Sequence, residues 1–127
     1  MKTKGKSAVE SAPGAFAPAS EIEPVEVCPG FWRRTLVWGE DLMLVTFDCK
    51  KGHAMPLHHH VHEQAGYVVS GAIEMTIDGE ARLCRPGMGY FIPSDVPHSA
   101  RAIEDTVVVD AFSPPRREYK IAPLEAR

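Results

Sequence analysis

Four of the six histidines of this chain stand in one short segment, His58-His59-His60-Val61-His62. Neutral imidazole is the commonest metal ligand among side chains, so the segment reads first as a metal site. On a strand, positions i and i+2 share a face, which lets His58 and His60 offer two rings to one ion while His59 points away. Gln64 is too far beyond His60 to join them along a straight strand. The chain must turn through Val61-His62-Glu63 if the Gln64 carbonyl is to reach the same ion, and His98, after Val96-Pro97, has to arrive from a distant strand. Two plainer readings compete. A purification tag belongs at a chain end, whereas this run is internal, broken by Val61 and flanked by strand-like sequence. A solvated polar face on an edge strand needs no ion at all, because water satisfies an exposed imidazole.

Two further residues carry chemistry. Asp110 closes the run Thr106-Val107-Val108-Val109, and strand alternation puts Val108, Asp110 and Phe112 on one face, inside the fold if Phe112 packs there. A carboxylate desolvated near a cation is suited to proton transfer; the competing reading is a strand-end cap or a surface ion pair. Arg116 follows Pro114-Pro115, a stiff extended pair that fixes where the next side chain points. Its guanidinium would clamp a substrate carboxylate in a two-point contact, and plain solvation is the alternative, the role assigned to Arg117. His62 reads as exposed in a turn. Tyr67 and Tyr90 read as barrel packing, Trp32 and Trp38 as core or dimer contacts, and His53 has no partner at metal-ligand spacing.

The elements that must position these residues are strands. Short runs rich in β-branched and aromatic residues follow one another: FWRRTLVW, LMLVTFDC, AGYVVS, AIEMTI, EARLCR, GYFIP and TVVVDAF. Turn residues separate them, at Gly39-Glu40-Asp41, Lys51-Gly52, Ser70-Gly71, Asp78-Gly79, Pro86-Gly87 and Pro93-Ser94-Asp95. Asp78-Gly79 is the sharpest signal, since a two-residue type I′ hairpin needs positive φ at both central positions. No helical period competes in the middle of the chain. About seven or eight strands at hairpin spacing imply an all-β antiparallel sandwich or barrel.

Residues 1–24 are rich in Ala, Ser, Pro and Gly without apolar periodicity and read as a flexible tail that stays mobile or docks on a neighbour; the domain is expected over 25–127. A chain of 127 residues, 44% of them hydrophobic, suffices for one core. Lys+Arg number 14 against 17 Asp+Glu, for a net charge of −3 without a basic stripe, which argues against nucleic acid and anionic membrane and for a small-molecule partner. Cys28, Cys49 and Cys84 cannot all pair and show no CxxC spacing, so reduced thiols in a cytoplasm are expected. Glu10 and Pro13 interrupt the apolar stretch a signal peptide would need, and no run is long enough to span a bilayer. A homodimer is expected, because small barrels leave sheet edges to cover and the tail could cross to a partner.

Gly52-x5-His58-x-His60-x3-Gln64-x6-Gly71 resembles the first motif of the cupin superfamily, and Gly87-x5-Pro93-x-Asp95-x2-His98 is similar to its second. The resemblance implies a single cupin barrel, the double-stranded β-helix or jelly roll, holding one divalent transition metal with His58, His60, Gln64 and His98. Three positions depart from the pattern: Gln64 where Glu is usual, Asp95 where Gly is usual and Ala102 where Asn is frequent. Asp95 tolerates the turn conformation glycine usually supplies, and Ala102 is not a ligand position. Gln64 leaves the site a full unit more positive than Glu would, which makes a stronger Lewis acid and a poorer stabiliser of a ferric state. Imidazole with an oxygen ligand suits Zn, Ni, Fe or Mn alike.

A closer resemblance runs through His60-Val61-His62-Glu63-Gln64-Ala65-Gly66-Tyr67-Val68-Val69-Ser70-Gly71, Pro97-His98-Ser99-Ala100-Arg101 and Val109-Asp110-Ala111-Phe112-Ser113-Pro114-Pro115-Arg116, which looks like the pectin-degradation cupins of the KdgF type. It implies ring opening of unsaturated monouronates, with Asp110 and Arg116 as the catalytic pair. Two other classes stay open: another metal-dependent cupin enzyme (dioxygenase, lyase or cyclase), and a non-catalytic ligand-binding cupin.

Overall fold

The structure, a computed structural model, describes residues 9–10 and 15–120. Its strands are β1 (Val9–Glu10), β2 (Val25–Cys28), β3 (Phe31–Trp38), β4 (Met43–Cys49), β5 (Ala54–His58), β6 (Glu63–Ser70), β7 (Ile73–Ile77), β8 (Glu80–Cys84), β9 (Gly89–Ile92), β10 (His98–Ala102) and β11 (Thr106–Ser113). One sheet runs β1-β3-β4-β11-β6-β9 with β2 added beside β3, and the other runs β5-β10-β7-β8. Every pairing is antiparallel except the short parallel contact of β1 with β3. The all-β barrel expected from the sequence is the fold observed.

Alternation explains how the sheets close on each other. Along β4 the side chains of Met43, Val45, Phe47 and Cys49 are buried while those between them are not, and β11 repeats the pattern with Thr106, Val108, Asp110 and Phe112 inward. They face Ile73 and Met75 of β7, Cys84 of β8 and Ala102 of β10 in one core. The β7–β8 turn has the expected geometry, with Asp78 at φ 52° and Gly79 at φ 82° joining Ile77 to Glu80.

Four strands, β1, β2, β5 and β10, are not among the sequence runs. β2 is short, β5 contains Pro56, and β10 reads His-Ser-Ala-Arg-Ala. A proline is tolerated in β5 because that strand is an edge of its sheet. Of the expected tail over 1–24, residues 1–8 and 11–14 lie outside the described residues. Its last part is docked: Ile22 is buried, and its carbonyl accepts a hydrogen bond from Arg34 Nε at 3.0 Å. The three cysteines are free thiols. Among the described residues no helix is long and apolar enough to cross a membrane.

Candidate functional site

β5 and β10 lie side by side with His98 opposite His58. Ring centroids are 4.2 Å apart for His58 and His98, 4.8 Å for His60 and His98, and 5.7 Å for His58 and His60. One nitrogen from each ring lies within 4.8 Å of the others. The expectation that His58 and His60 share a strand face is corrected here, because β5 ends at His58. His60 is instead turned back by the loop that follows, whose position is fixed when Asp95 N–H donates to the His60 carbonyl at 2.7 Å. Asp95 makes that contact from a left-handed backbone, φ 61°, a conformation Asp tolerates better than most residues.

The backbone also sets the tautomer of each ring. Nδ1 of His58 lies 2.7 Å from the Pro56 carbonyl, Nδ1 of His60 lies 2.9 Å from the His62 carbonyl, and Nδ1 of His98 lies 2.8 Å from the Val96 carbonyl. A carbonyl only accepts, so each Nδ1 carries the proton and each Nε2 keeps a lone pair. The Nε2 atoms of His60 and His98 are buried without a hydrogen-bond partner. Leaving such acceptors dry costs roughly 1–3 kcal/mol each, a cost that a cation bound between them removes. Burial, with the Arg116 charge second, lowers His60 to about 4, and burial also lowers His98. Both rings are therefore neutral at pH 7, the form a metal requires. The donor set fits a divalent transition ion.

Gln64, buried near the start of β6, lines one cavity together with His58, His98, Asp110 and Arg116. It hydrogen-bonds the Asp110 carboxylate. An ionised carboxylate only accepts, so the Gln64 amide nitrogen donates, and its Oε1 is left as the atom available to a cation.

Asp110 is buried inside the barrel. Burial raises its pKa to about 6, against the opposing pull of Tyr90, Gln64 and the Arg116 charge. The Tyr90 hydroxyl donates to Asp110 Oδ1 at 2.8 Å. Gly66 makes this reach available: in register it stands between Tyr90 on β9 and Asp110 on β11, and a Cβ there would collide with the tyrosine ring and the carboxylate. Burial holds the Tyr90 phenol well above its ordinary pKa, so it remains a donor.

Arg116 is largely buried, its side chain 13% exposed. Its Nη2 donates to Glu118 at 2.9 Å, and the guanidinium lies 4.1 Å above the Tyr119 ring and 5.2 Å from that of Phe112. Its Nε is buried without a hydrogen-bond partner. The Ser113-Pro114 bond that precedes it is cis.

The structure thus gathers His58, Gln64, His98, Asp110 and Arg116 in one cavity and sets His60 beside them. Sequence reasoning missed Tyr90, whose signal was its spacing from the buried Ile92 on the same strand face, and Glu118, for which no sequence signal exists. His62 departs from its expected exposure. It is half-buried and its Nδ1 has no hydrogen-bond partner, while burial, followed by the Arg116 charge, lowers its pKa.

A family model described as a cupin domain matches residues 45–112. The pectin degradation protein KdgF of Dickeya dadantii (strain 3937) is 33% identical over 96 residues, which cover 74% of this chain and 87% of that protein. A solved structure of KdgF from Halomonas sp. superposes with a TM-score of 0.78 at 37% identity, covering 83% of this chain and 97% of the other. A solved RmlC-like cupin from Shewanella frigidimarina NCIMB 400 reaches the same TM-score, 0.78, at 30% identity, with 82% and 94% covered.

Proposed function

This chain belongs to the cupin domain family, and from that footing we propose that it opens the ring of unsaturated monouronates, with one divalent transition metal held by His58, His60, Gln64 and His98. The observation that carries the reading is one cavity that Asp110 and Arg116 line together with three of these ligands, His58, Gln64 and His98. A divalent cation bound there would supply Lewis acidity toward a sugar oxygen. The relative named as a pectin degradation protein supports the substrate class.

The chain's own residues account for the rest. In an unsaturated uronate the ring oxygen is part of an enol ether. Opening it takes a proton from the anomeric hydroxyl, breaks the C1–O5 bond, and delivers a proton to the alkene carbon C4 as C5 becomes a ketone. No atom is gained or lost. One carboxylate that receives the first proton and returns the second suffices, and Asp110, buried and raised to about 6, has that capacity. Tyr90 and Gln64 hold its oxygens in place, and the Phe112 and Tyr119 rings screen Arg116 from water so that its fork meets the substrate carboxylate. The test is loss of the conjugated absorbance of an unsaturated galacturonate in the presence of metal-loaded protein. Turnover above the spontaneous rate supports the proposal, and no acceleration with metal confirmed in the site overturns it. Oxygen uptake by an Fe(II)-loaded sample would then favour a dioxygenase.

Two variants probe the assignments. Gln64→Glu is expected to keep the metal and lose activity, because the added charge weakens the Lewis acid and places a second carboxylate against Asp110. Both the lost donor and the like charge push the Asp110 pKa up, so the acid limb of its pH profile moves to higher pH. Unchanged turnover would make the neutral ligand incidental. Arg116→Ala is expected to raise KM for carboxylated substrates roughly 10- to 100-fold, the worth of a hydrogen bond to a charged group. A change confined to kcat would remove its carboxylate-binding role.

A further inference from the structure

Arg116 stands where two hollows meet. It lines the cavity that holds Gln64, His98 and Asp110, and it also lines a cleft alongside, as do Met55, His58 and Tyr119. Glu118 lines the cleft and is not among the residues around the cavity. Its carboxylate meets Arg116 from the cleft side, where Oε2 accepts from Nη2 at 2.9 Å. The guanidinium keeps donors for a second acceptor. Its Nε is buried with no hydrogen-bond partner, and a fork of several N–H groups can serve two carboxylates at once.

Arg116 does not depend on Glu118 for its pose. The guanidinium lies 4.1 Å above the Tyr119 ring, Tyr119 is buried, and Arg33 Nη1 donates to the Tyr119 carbonyl at 3.1 Å. Glu118 projects from a single turn of 3₁₀ helix, Arg117–Tyr119, with its side chain 57% exposed. What it adds is charge. Glu26 and Glu118 are the carboxylates of the cleft and Arg33 and Arg116 its guanidinium groups, so these four side chains balance with Glu118 present and leave a positive charge without it.

We propose that Glu118 is a specificity-determining residue: it shares Arg116 with the substrate, so the site takes a ligand with one negative charge at that point and turns away a ligand with two. The proposal rests on the reading that a substrate carboxylate meets Arg116. Coulomb energy is proportional to the charge of the ligand, so repulsion from Glu118 is twice as large for a dianion as for a carboxylate in the same place. Arg116 attracts every anion, and discrimination among anions needs a repulsive element beside the attractive one. A partly exposed charge pair is worth about 3- to 5-fold in affinity. Doubling the energy squares that factor, to roughly 10- to 25-fold for a dianion. The chemistry turned away is that of sulfate and of phosphate monoesters.

Calorimetry on metal-loaded protein tests this with two probes. One is galacturonate, whose saturated ring has no enol ether to open; the other is sulfate, a dianion at any working pH, titrated against bound galacturonate at constant ionic strength. In Glu118→Gln, galacturonate should bind about 3- to 5-fold tighter and sulfate about 10- to 25-fold tighter than in the wild type. With an unsaturated uronate the gain should fall on KM and not on kcat. Glu118→Asp keeps the charge and should keep the wild-type preference. Weaker galacturonate binding in Glu118→Gln overturns the proposal, because Glu118 then serves to hold Arg116 in place. Equal gains for the two anions, or none for either, overturn it as well, since the charge then selects nothing. Absence of galacturonate binding in the wild type has the same force. A wild type that binds galacturonate, with these shifts in Glu118→Gln, yet opens no unsaturated uronate leaves Glu118 as assigned and sinks the uronate reading alone.

Discussion

Asp110→Asn is expected to slow uronate ring opening by roughly 10²- to 10⁴-fold, the usual worth of general acid–base assistance, while metal content stays at the wild-type level. The substitution keeps the shape of the side chain and removes the group that takes up and returns a proton. Tyr90 still has an oxygen to donate to, so the cavity wall survives. The pH profile supplies a second readout. Asp110 must be ionised to accept the first proton, so activity falls as pH drops through its pKa. Burial sets that value at about 6, and a cation beside it moves the midpoint lower. The wild type should therefore show an acid limb at or below pH 6, and Asp110→Asn should lose it. A fully active Asp110→Asn would keep the reaction and discard this proton carrier.

His98→Ala should empty the metal site. His98 is the most buried of the three rings, and it is the one that pairs β10 with the end of β5. Losing even an outer hydrogen-bond partner of a ligand costs 10- to 100-fold in metal affinity, so losing the ligand itself should cost about 100-fold or more. Elemental analysis after dialysis should find about one ion per wild-type chain and almost none in His98→Ala or His58→Ala. Full occupancy in both variants would overturn the ligand set. Acid should displace the metal late: protons compete with it only once the rings titrate, and burial has lowered His60 to about 4 against ~6.5 for free histidine.

The fold was legible wherever alternation was. Phe31–Trp38 is a strand from end to end, and the Asp78-Gly79 hairpin adopts the backbone angles its residues favour. β5 and β10 were obscure because they belong to the site. Their residues answer to the cavity and to the sheet edge more than to strand propensity, and a proline or a polar run hides the pattern. The site was legible in its spacing and less so in its mechanics. His58 and His60 converge through a loop that Asp95 pins, a tertiary contact that strand parity alone does not contain. Asp110 was readable from the buried alternation of Val108 and Phe112, whereas its Tyr90 partner depends on Gly66 standing between them, and no local signal says which glycine leaves room for a ring.

Pro56 has a consequence for the behaviour of the protein at high concentration. It sits in β5, the outermost strand of the smaller sheet, and a bare edge of that kind invites another chain to extend the ladder. At Pro56 the edge has no N–H to give. Its carbonyl is already engaged by Nδ1 of His58, so the acceptor is spoken for as well. An incoming strand would find a gap in the middle of a five-residue edge. The contact that orients a ligand ring thus also blunts fibril growth, and crowded samples should form finite particles with no thioflavin-binding fibres seeded from that edge.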